Sequence, residues 1–191
     1  MLHQLTFLTL VPVFYIIHSL LAQNKMKSRF KLGSKNYRLI YNIISLTFLS
    51  AIAFTYYKLK HTPLWSASWP VWIGLALLVL GSVIIRYAMR SYNTAQFLGL
   101  EEENKSNERL VIQGLNKHVR HPLYSGTILL LISFVIFKPD LWMCYFVGVS
   151  LTYLPIGIWL EERKLIQAFG EKYHNYRNSV PSIIPRLNNL K

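Results

Sequence analysis

Apolar and polar positions in this chain are gathered in blocks rather than mixed at amphipathic spacing. Residues 2–22, 41–57, 70–85, 122–137 and 141–160 contain no Lys, Arg, Asp or Glu. Several of these blocks approach the roughly 20 residues that span a hydrocarbon core, and a helix is the only open-chain structure that satisfies its own backbone there. The pattern predicts an all-α, polytopic integral membrane protein with about five transmembrane helices. At 191 residues and 52% hydrophobic content, the length alone suits one modest domain.

Charge changes the picture through its placement. A formal net charge of +13 in a soluble protein would suggest a nucleic-acid partner. Here Lys25, Lys27, Arg29, Lys31, Lys35 and Arg38 follow the first block. Arg86, Arg90, Lys105, Arg109, Lys117 and Arg120 follow the third, and Arg163, Lys164, Lys172, Arg177, Arg186 and Lys191 follow the fifth. Only Lys58, Lys60 and Lys138 fall in the two remaining loops. The positive-inside rule then places the N-terminus outside and the C-terminus in the cytoplasm, with membrane lipids and not nucleic acid as the partner of these charges. Because its basic cluster follows it, the first block reads as a retained helix rather than a signal peptide.

Polar residues within or beside the blocks offer few alternatives. His18, Ser19 and Asn42 lie near the inner ends of the first two spans, where simple hydration is the expected account. Trp65, Trp69 and Trp72, beside Pro63 and Pro70, form an outer aromatic belt. Arg86 and Arg90 snorkel toward phosphates. The lone Cys144 excludes an intrachain disulfide and a multi-cysteine zinc site. His118 and His121 are three apart, but Pro122 interrupts the helix that would align them, so no metal is expected.

From Ser91 to Val119 the chain is polar, with Glu101, Glu102, Glu103 and Glu108 as its acidic content. Then comes Arg120-His121-Pro122-Leu123-Tyr124-Ser125-Gly126. Pro122 suits the first turn of a helix, where its missing N–H costs nothing. Free backbone donors and a positive dipole end then lie beside His121, a place for a carboxylate or phosphate. The fourth span, about 24 Å long at 1.5 Å per residue, falls short of a hydrocarbon core of about 30 Å. Its His-Pro end is therefore expected to sit recessed below the head groups. The fourth and fifth spans read as a hairpin through Lys138-Pro139-Asp140, which returns Glu161-Glu162 to the same face. Glu161 suits hydroxyls or an ammonium. The competing reading of Arg, His and Tyr at such a place is an interfacial anchor. After Glu162, Leu165, Ile166 and Phe169 mark one face of a short amphipathic helix that Gly170 caps. Tyr173, Tyr176 and Arg177 lie on a second helix, stopped by Pro181 and Pro185. This tail reads equally as an interfacial helix or as a lid over the polar end.

The C-terminal half resembles the isoprenylcysteine carboxyl methyltransferases and their relatives, the phospholipid N-methyltransferases and methanethiol S-methyltransferases. The matching pieces are Leu110-Val111-x-x-Gly114, Arg120-His121-Pro122-x-Tyr124-x-Gly126 and Glu161-Glu162-x-x-Leu165. Phe169-Gly170-x-x-Tyr173-x-x-Tyr176 and Val180-Pro181-x-x-Ile184-Pro185 follow in family order, covering roughly residues 108–187. In the first half, His18 to Ala22 and Tyr37-Arg38-x-x-Tyr41-Asn42 look more like the S-methyltransferase branch.

The resemblance implies a membrane enzyme that takes S-adenosylmethionine from the cytosol. It divides the chain into an N-terminal three-helix membrane region, 1–90, and a methyltransferase-like region, 91–191, with a cytoplasmic cofactor end. Carried over by position, Leu110, Val111 and Gly114 form a backbone-rich cofactor loop, His121, Pro122, Leu123 and Tyr124 line the cofactor, and Glu161 binds it from the opposite side. The methyl acceptor is implied to be small or lipophilic. Its identity, the general base and the oligomeric state are left open; His121 and His118 qualify as bases by type only. This sequence departs from the family pattern at three places. Asn116 stands where the family has a tyrosine, Glu101 where it has a glutamine, and Gly157 where the carboxyl methyltransferases have the arginine that meets the substrate carboxylate. Two other classes stay open: steroid 5α-reductase-like membrane reductases, which share Arg-His-Pro-x-Tyr and use a nicotinamide cofactor, and a membrane protein of nitrite-reduction gene clusters, which the first half resembles.

Overall fold

The computed structural model describes residues 1–30, 32–66, 70–102 and 109–186. Trp69, Lys31, Lys105, Glu103, Glu108 and Lys191, named above, lie outside the described residues. All of the described helices are right-handed α-helices apart from one short 3₁₀ turn, and the chain divides into two compact units.

The first unit, Met1–Thr62 with Asn93–Asn107, contains α1 (Leu2–Leu21), α2 (Asn24–Arg29), α3 (Ser34–Tyr57) and α5 (Thr94–Leu98). On α1 the residues Phe7, Val11 and Phe14 are buried, spaced so that they share one helical face. That face packs on α3, with Phe7 5.9 Å from Tyr56 and Phe14 6.2 Å from Phe48 between ring centroids. His18 joins the same interface: its ring bonds to the Tyr41 hydroxyl (2.8 Å to Nε2), and its Nδ1 lies 3.3 Å from Ser45 Oγ. Hydration is therefore not its account; the helix pair supplies its partners.

Asn42 is likewise bonded within the protein. Its Nδ2 donates to the carbonyls of Phe97 and Leu98 (3.3 and 3.0 Å), satisfying orphan acceptors at the end of α5. At the other end Asn93 caps α5, accepting from the N–H groups of Ala95 and Gln96. The turn that follows needs Gly99, at φ 76°, because a Cβ there would meet the Leu39 backbone N at 2.6 Å. Glu102 in turn caps α3 from 67 residues away, accepting from Ser34 Oγ and, at 3.2 Å, from the N–H of Lys35. These bonds hold the Glu102 carboxyl below its usual range.

The second unit, Pro63–Tyr92 with Glu108–Lys191, contains α4 (Pro70–Met89), the 3₁₀ turn Gly114–Lys117, α6 (Pro122–Phe137), α7 (Leu141–Phe169) and α8 (Glu171–Ser179). Glycine sets the approach of α4 to α6. A Cβ on Gly81 would lie 2.8 Å from the Gly126 carbonyl, and a Cβ on Gly126 the same distance from the Gly81 carbonyl. Small residues bring helix backbones together where lipid supplies no hydrophobic drive. At the opposite end of α6 the turn Lys138–Asp140 is pinned. Asp140 is buried and accepts from the Met143 N–H at 2.9 Å, capping α7, while Leu64 N donates to the Pro139 carbonyl.

α1, α3, α4 and α7 are long and apolar enough to cross a membrane, and α6 is a shorter apolar helix of 16 residues. The protein is an all-helical polytopic membrane protein. One expectation changes: Leu165, Ile166 and Phe169 are not on a separate short helix. They continue α7, which runs unbroken for 29 residues to Phe169. Nothing between Glu162 and Phe169 breaks a helix, and the chain turns only at Gly170, at φ 53°.

Candidate functional site

The second unit gathers its polar side chains where α6 begins, α7 emerges from its apolar block and α8 folds back. Pro122 occupies the first turn of α6, and His121 precedes it at φ −125°, ψ 66°, leaving the helix end without a side-chain cap. The chain after α8 is strapped to this start. The N–H groups of Arg120 and His121 donate to the carbonyls of Pro181 and Ser182 (2.9 and 3.0 Å), and Ser125 Oγ donates to the Ile183 carbonyl at 2.7 Å.

Arg120 is the knot of this arrangement. Its Nε and Nη2 donate to Glu162 Oε1 at 2.9 and 2.6 Å. Its Nη1 donates to the carbonyls of Arg177 and Val180, the orphan acceptors at the end of α8. Glu162 also meets His121 Nε2 at 3.2 Å and Arg177 Nε at 3.3 Å. Tyr176 donates to the Asn116 carbonyl at 2.7 Å, and Asn116 Nδ2 donates to the Arg120 carbonyl at 3.3 Å. Asn116, where the family pattern has a tyrosine, is thus a buried brace between the 3₁₀ turn and α6. Burial pushes the phenols of Tyr173 and Tyr176 above their ordinary value, and the Glu162 carboxylate adds to this at Tyr173.

Glu161 differs from its neighbour. Successive residues on a helix point about 100° apart, so one carboxylate turns inward and the next sideways. The Glu162 side chain is 8% exposed and that of Glu161 44%. Glu161 Oε2 stands 3.7 Å from His121 Nδ1, on the other side of the same buried ring. Tyr124 meets His121 edge-on, with centroids 5.6 Å apart. One turn before Glu161, Gly157 leaves room for the Tyr124 phenol, since a Cβ there would lie 3.3 Å from its oxygen. Tyr92, just beyond α4, is raised above the ordinary phenol value by burial, with the Glu161 carboxylate reinforcing the shift.

His121, Pro122, Leu123, Tyr124 and Glu161 therefore share one end of the second unit. Gly114 sits at φ 58° in the 3₁₀ turn, with Ser91 Oγ 3.5 Å from where its Cβ would be. Leu110 instead lines a groove against α8, together with Ile112 but without Val111. Sequence reasoning missed the part played by Arg120 and Glu162, which hold the end together, and by Tyr92. The pair Glu161-Glu162 carried a signal, since two adjacent carboxylates on one helix cannot face alike. The long-range partner of Glu162, 42 residues away, had no local signature. Among the described residues no group of three or more His, Cys, Asp or Glu is arranged to hold a metal.

The sequence pattern of one family, described as NnrU protein, matches residues 6–185. A methanethiol S-methyltransferase from a Pseudomonas strain is 30% identical over 160 residues, 78% of this chain and 60% of that protein. The methanethiol S-methyltransferase of Crocosphaera subtropica is 33% identical over 124 residues, 59% of this chain and 46% of its own length. The protein-S-isoprenylcysteine O-methyltransferase of Dictyostelium discoideum is 30% identical over 131 residues, 68% and 53% of the two chains. The chain spans about half the length of these curated relatives. No solved structure is a significant match.

Proposed function

The chain belongs to the NnrU family, which is related to methanethiol S-methyltransferases and isoprenylcysteine O-methyltransferases, and from that membership we propose that it is an integral membrane methyltransferase using S-adenosylmethionine. The observation that carries the reading is the half-open carboxylate of Glu161 beside an otherwise saturated cluster. Glu162 has its charge and hydrogen bonds satisfied, whereas Glu161 is half-exposed, 3.7 Å from His121 Nδ1. A cationic cofactor fits this donor set. Glu161 would take its positive end, and the uncapped first turn of α6, at Leu123 and Tyr124, offers backbone donors to its negative end. When bound, the cofactor supplies an electrophilic methyl group on a sulfonium that is already a good leaving group.

The protein's own share is placement and exclusion of water. Glu162 and Arg120 fix the His121 ring, so that Nε2 is committed and Nδ1 faces the Glu161 side. The strap Pro181–Ile183 covers the start of α6. In this reading Leu110, Val111 and Gly114 contribute a cofactor loop, the cofactor end belongs to residues 91–191 with 1–90 as a membrane region, and that end faces the cytoplasm. The acceptor is a small or lipophilic nucleophile, a thiol or amine before a prenylcysteine carboxylate. Gly157 and Tyr124 support this preference, because no cation stands at that point of α7 to pair a buried carboxylate.

Calorimetry of the purified protein with S-adenosylhomocysteine and with NADPH tests the reading, followed by transfer of a labelled methyl group into a thiol panel and a lipid extract. Binding of NADPH alone would favour a reductase. Binding of neither would favour a non-enzymatic membrane protein.

A further inference from the structure

Between the loop Arg109–Ile112 and one face of α8 lies an open groove of about 660 Å³. Lys172, Asn175, Tyr176 and Ser179 line it from α8, at the spacing of one helical face. Leu110 and Ile112 line it from the loop, and Phe169 and Val180 complete the lining. The charges of the lining are Arg109 and Lys172, both cationic. Among the described residues neither is engaged by a carboxylate, in contrast to Arg120 and Arg177, which Glu162 holds. Other titratable groups of α8 are Glu171, His174 and Arg177, at positions off the groove face, with Tyr173 buried.

We propose that this groove is a binding site for an anionic phospholipid, whose phosphate is held by Arg109 and Lys172 and whose glycerol and upper acyl carbons lie along Leu110, Ile112 and Val180. Three observations select this occupant. The site pairs two cations that no carboxylate engages among the described residues, and the amide of Asn175, with an apolar wall, so it suits a molecule that is anionic at one end and hydrocarbon at the other. Its Val180 end continues into Pro181 and Ser182, whose carbonyls bind the start of membrane helix α6, so the groove opens where lipids are. Its volume lies in the range of about 300–1,000 Å³ typical of ligand sites and exceeds what a bare phosphate needs. Val111, between Leu110 and Ile112, does not line the groove.

The test uses the full chain, delipidated in detergent and equilibrated with equal amounts of phosphatidylglycerol and phosphatidylcholine, with bound lipid counted by native mass spectrometry. Wild type is expected to retain phosphatidylglycerol preferentially. Arg109→Gln and Lys172→Gln are each expected to weaken that retention about fivefold, the factor corresponding to about 1 kcal/mol per basic residue at a lipid surface. Lys117→Gln, an exposed charge outside the groove, is expected to leave it unchanged. Equal retention by wild type and the double variant would overturn the proposal, as would a matching loss in Lys117→Gln. Displacement of phosphatidylglycerol by millimolar inorganic phosphate would also overturn it, marking a soluble-anion site. Leu110, which both sites use, is left unaltered, and S-adenosylhomocysteine binding measured on Arg109→Gln and Lys172→Gln is expected to be unaffected, so loss of lipid without loss of cofactor separates the two readings.

Discussion

Glu161 and Glu162 approach one imidazole from its two nitrogens: Glu162 Oε1 lies 3.2 Å from His121 Nε2, and Glu161 Oε2 lies 3.7 Å from Nδ1. The same residue type is thus used twice, once as a buried structural anion and once as a half-exposed one. The distinction rests on partners. Arg120 and Arg177 neutralise Glu162, while among the described residues Glu161 pairs with His121 and reaches Tyr92 through its field.

The two carboxylates are expected to fail differently. Glu161→Gln keeps size and polarity and should leave thermal stability close to wild type while weakening S-adenosylhomocysteine binding at least tenfold by calorimetry. That factor corresponds to about 1.4 kcal/mol, within the range lost with a charge-assisted hydrogen bond. Equal affinity would reduce Glu161 to an interfacial charge.

Glu162→Gln should instead destabilise the fold, because Arg120 would remain buried without its anion. Removing one member of such a pair costs about 3–5 kcal/mol. Denaturant unfolding in detergent would detect it, and an unchanged midpoint would contradict the anchoring role.

The glycine contact between α4 and α6 makes a size-dependent prediction. Gly126→Val drives a side chain into the Gly81 carbonyl and should cost about 1–3 kcal/mol or more by overpacking. Gly148→Ala, with nothing within 4 Å of its Cβ, should be tolerated. Melting temperatures of the two variants, measured side by side, separate a packing effect from a general intolerance of glycine replacement.

The tyrosines of α8 set an alkaline limit. Their folded values are raised, so their contribution is complete below the ordinary phenol value of 10.0 and is lost as pH rises through the higher folded values. Above about pH 10, α8 should detach before the membrane helices unfold. Exposure of Tyr173 and Tyr176 would show as tyrosinate absorbance together with a small loss of helicity. Tyr173→Phe should be close to neutral at pH 7, because its buried hydroxyl lies against the Arg120–Glu162 pair without a hydrogen bond of good geometry among the described residues.

Much of the fold was legible in the apolar blocks, whose ends lie within or near α1, α3, α4, α6 and α7. Local signals also held at Pro122, which begins α6, and at Gly170, which ends α7. What could not be read were partners chosen by tertiary structure. Asn42 and His18 looked like hydrated interface residues, yet one closes the end of α5 and the other sits in the α1–α3 seam. Glu102 is an ordinary acid in sequence and a helix cap only because the chain returns to α3 after 68 residues. At the candidate site, the cluster of His121, Tyr124 and Glu161 followed from a hairpin argument, whereas the choice between two adjacent glutamates needed the positions of Arg120 and Arg177.

The strap across the start of α6 also bears on the order of assembly during synthesis. Arg120 leaves the ribosome 60 residues before Val180, whose carbonyl it binds. The α4–α6 contact runs from Gly81–Gly126 to Gly74 against Ile136 and Phe137 and requires nothing beyond the end of α6, so those helices can pair while α7 is still being made. The polar end cannot be finished until the segment after α8 has emerged. A nascent chain halted before Pro181 would hold a packed helix pair with an unclosed mouth, the N–H groups of Arg120 and His121 lacking the Pro181 and Ser182 carbonyls and Ser125 lacking that of Ile183.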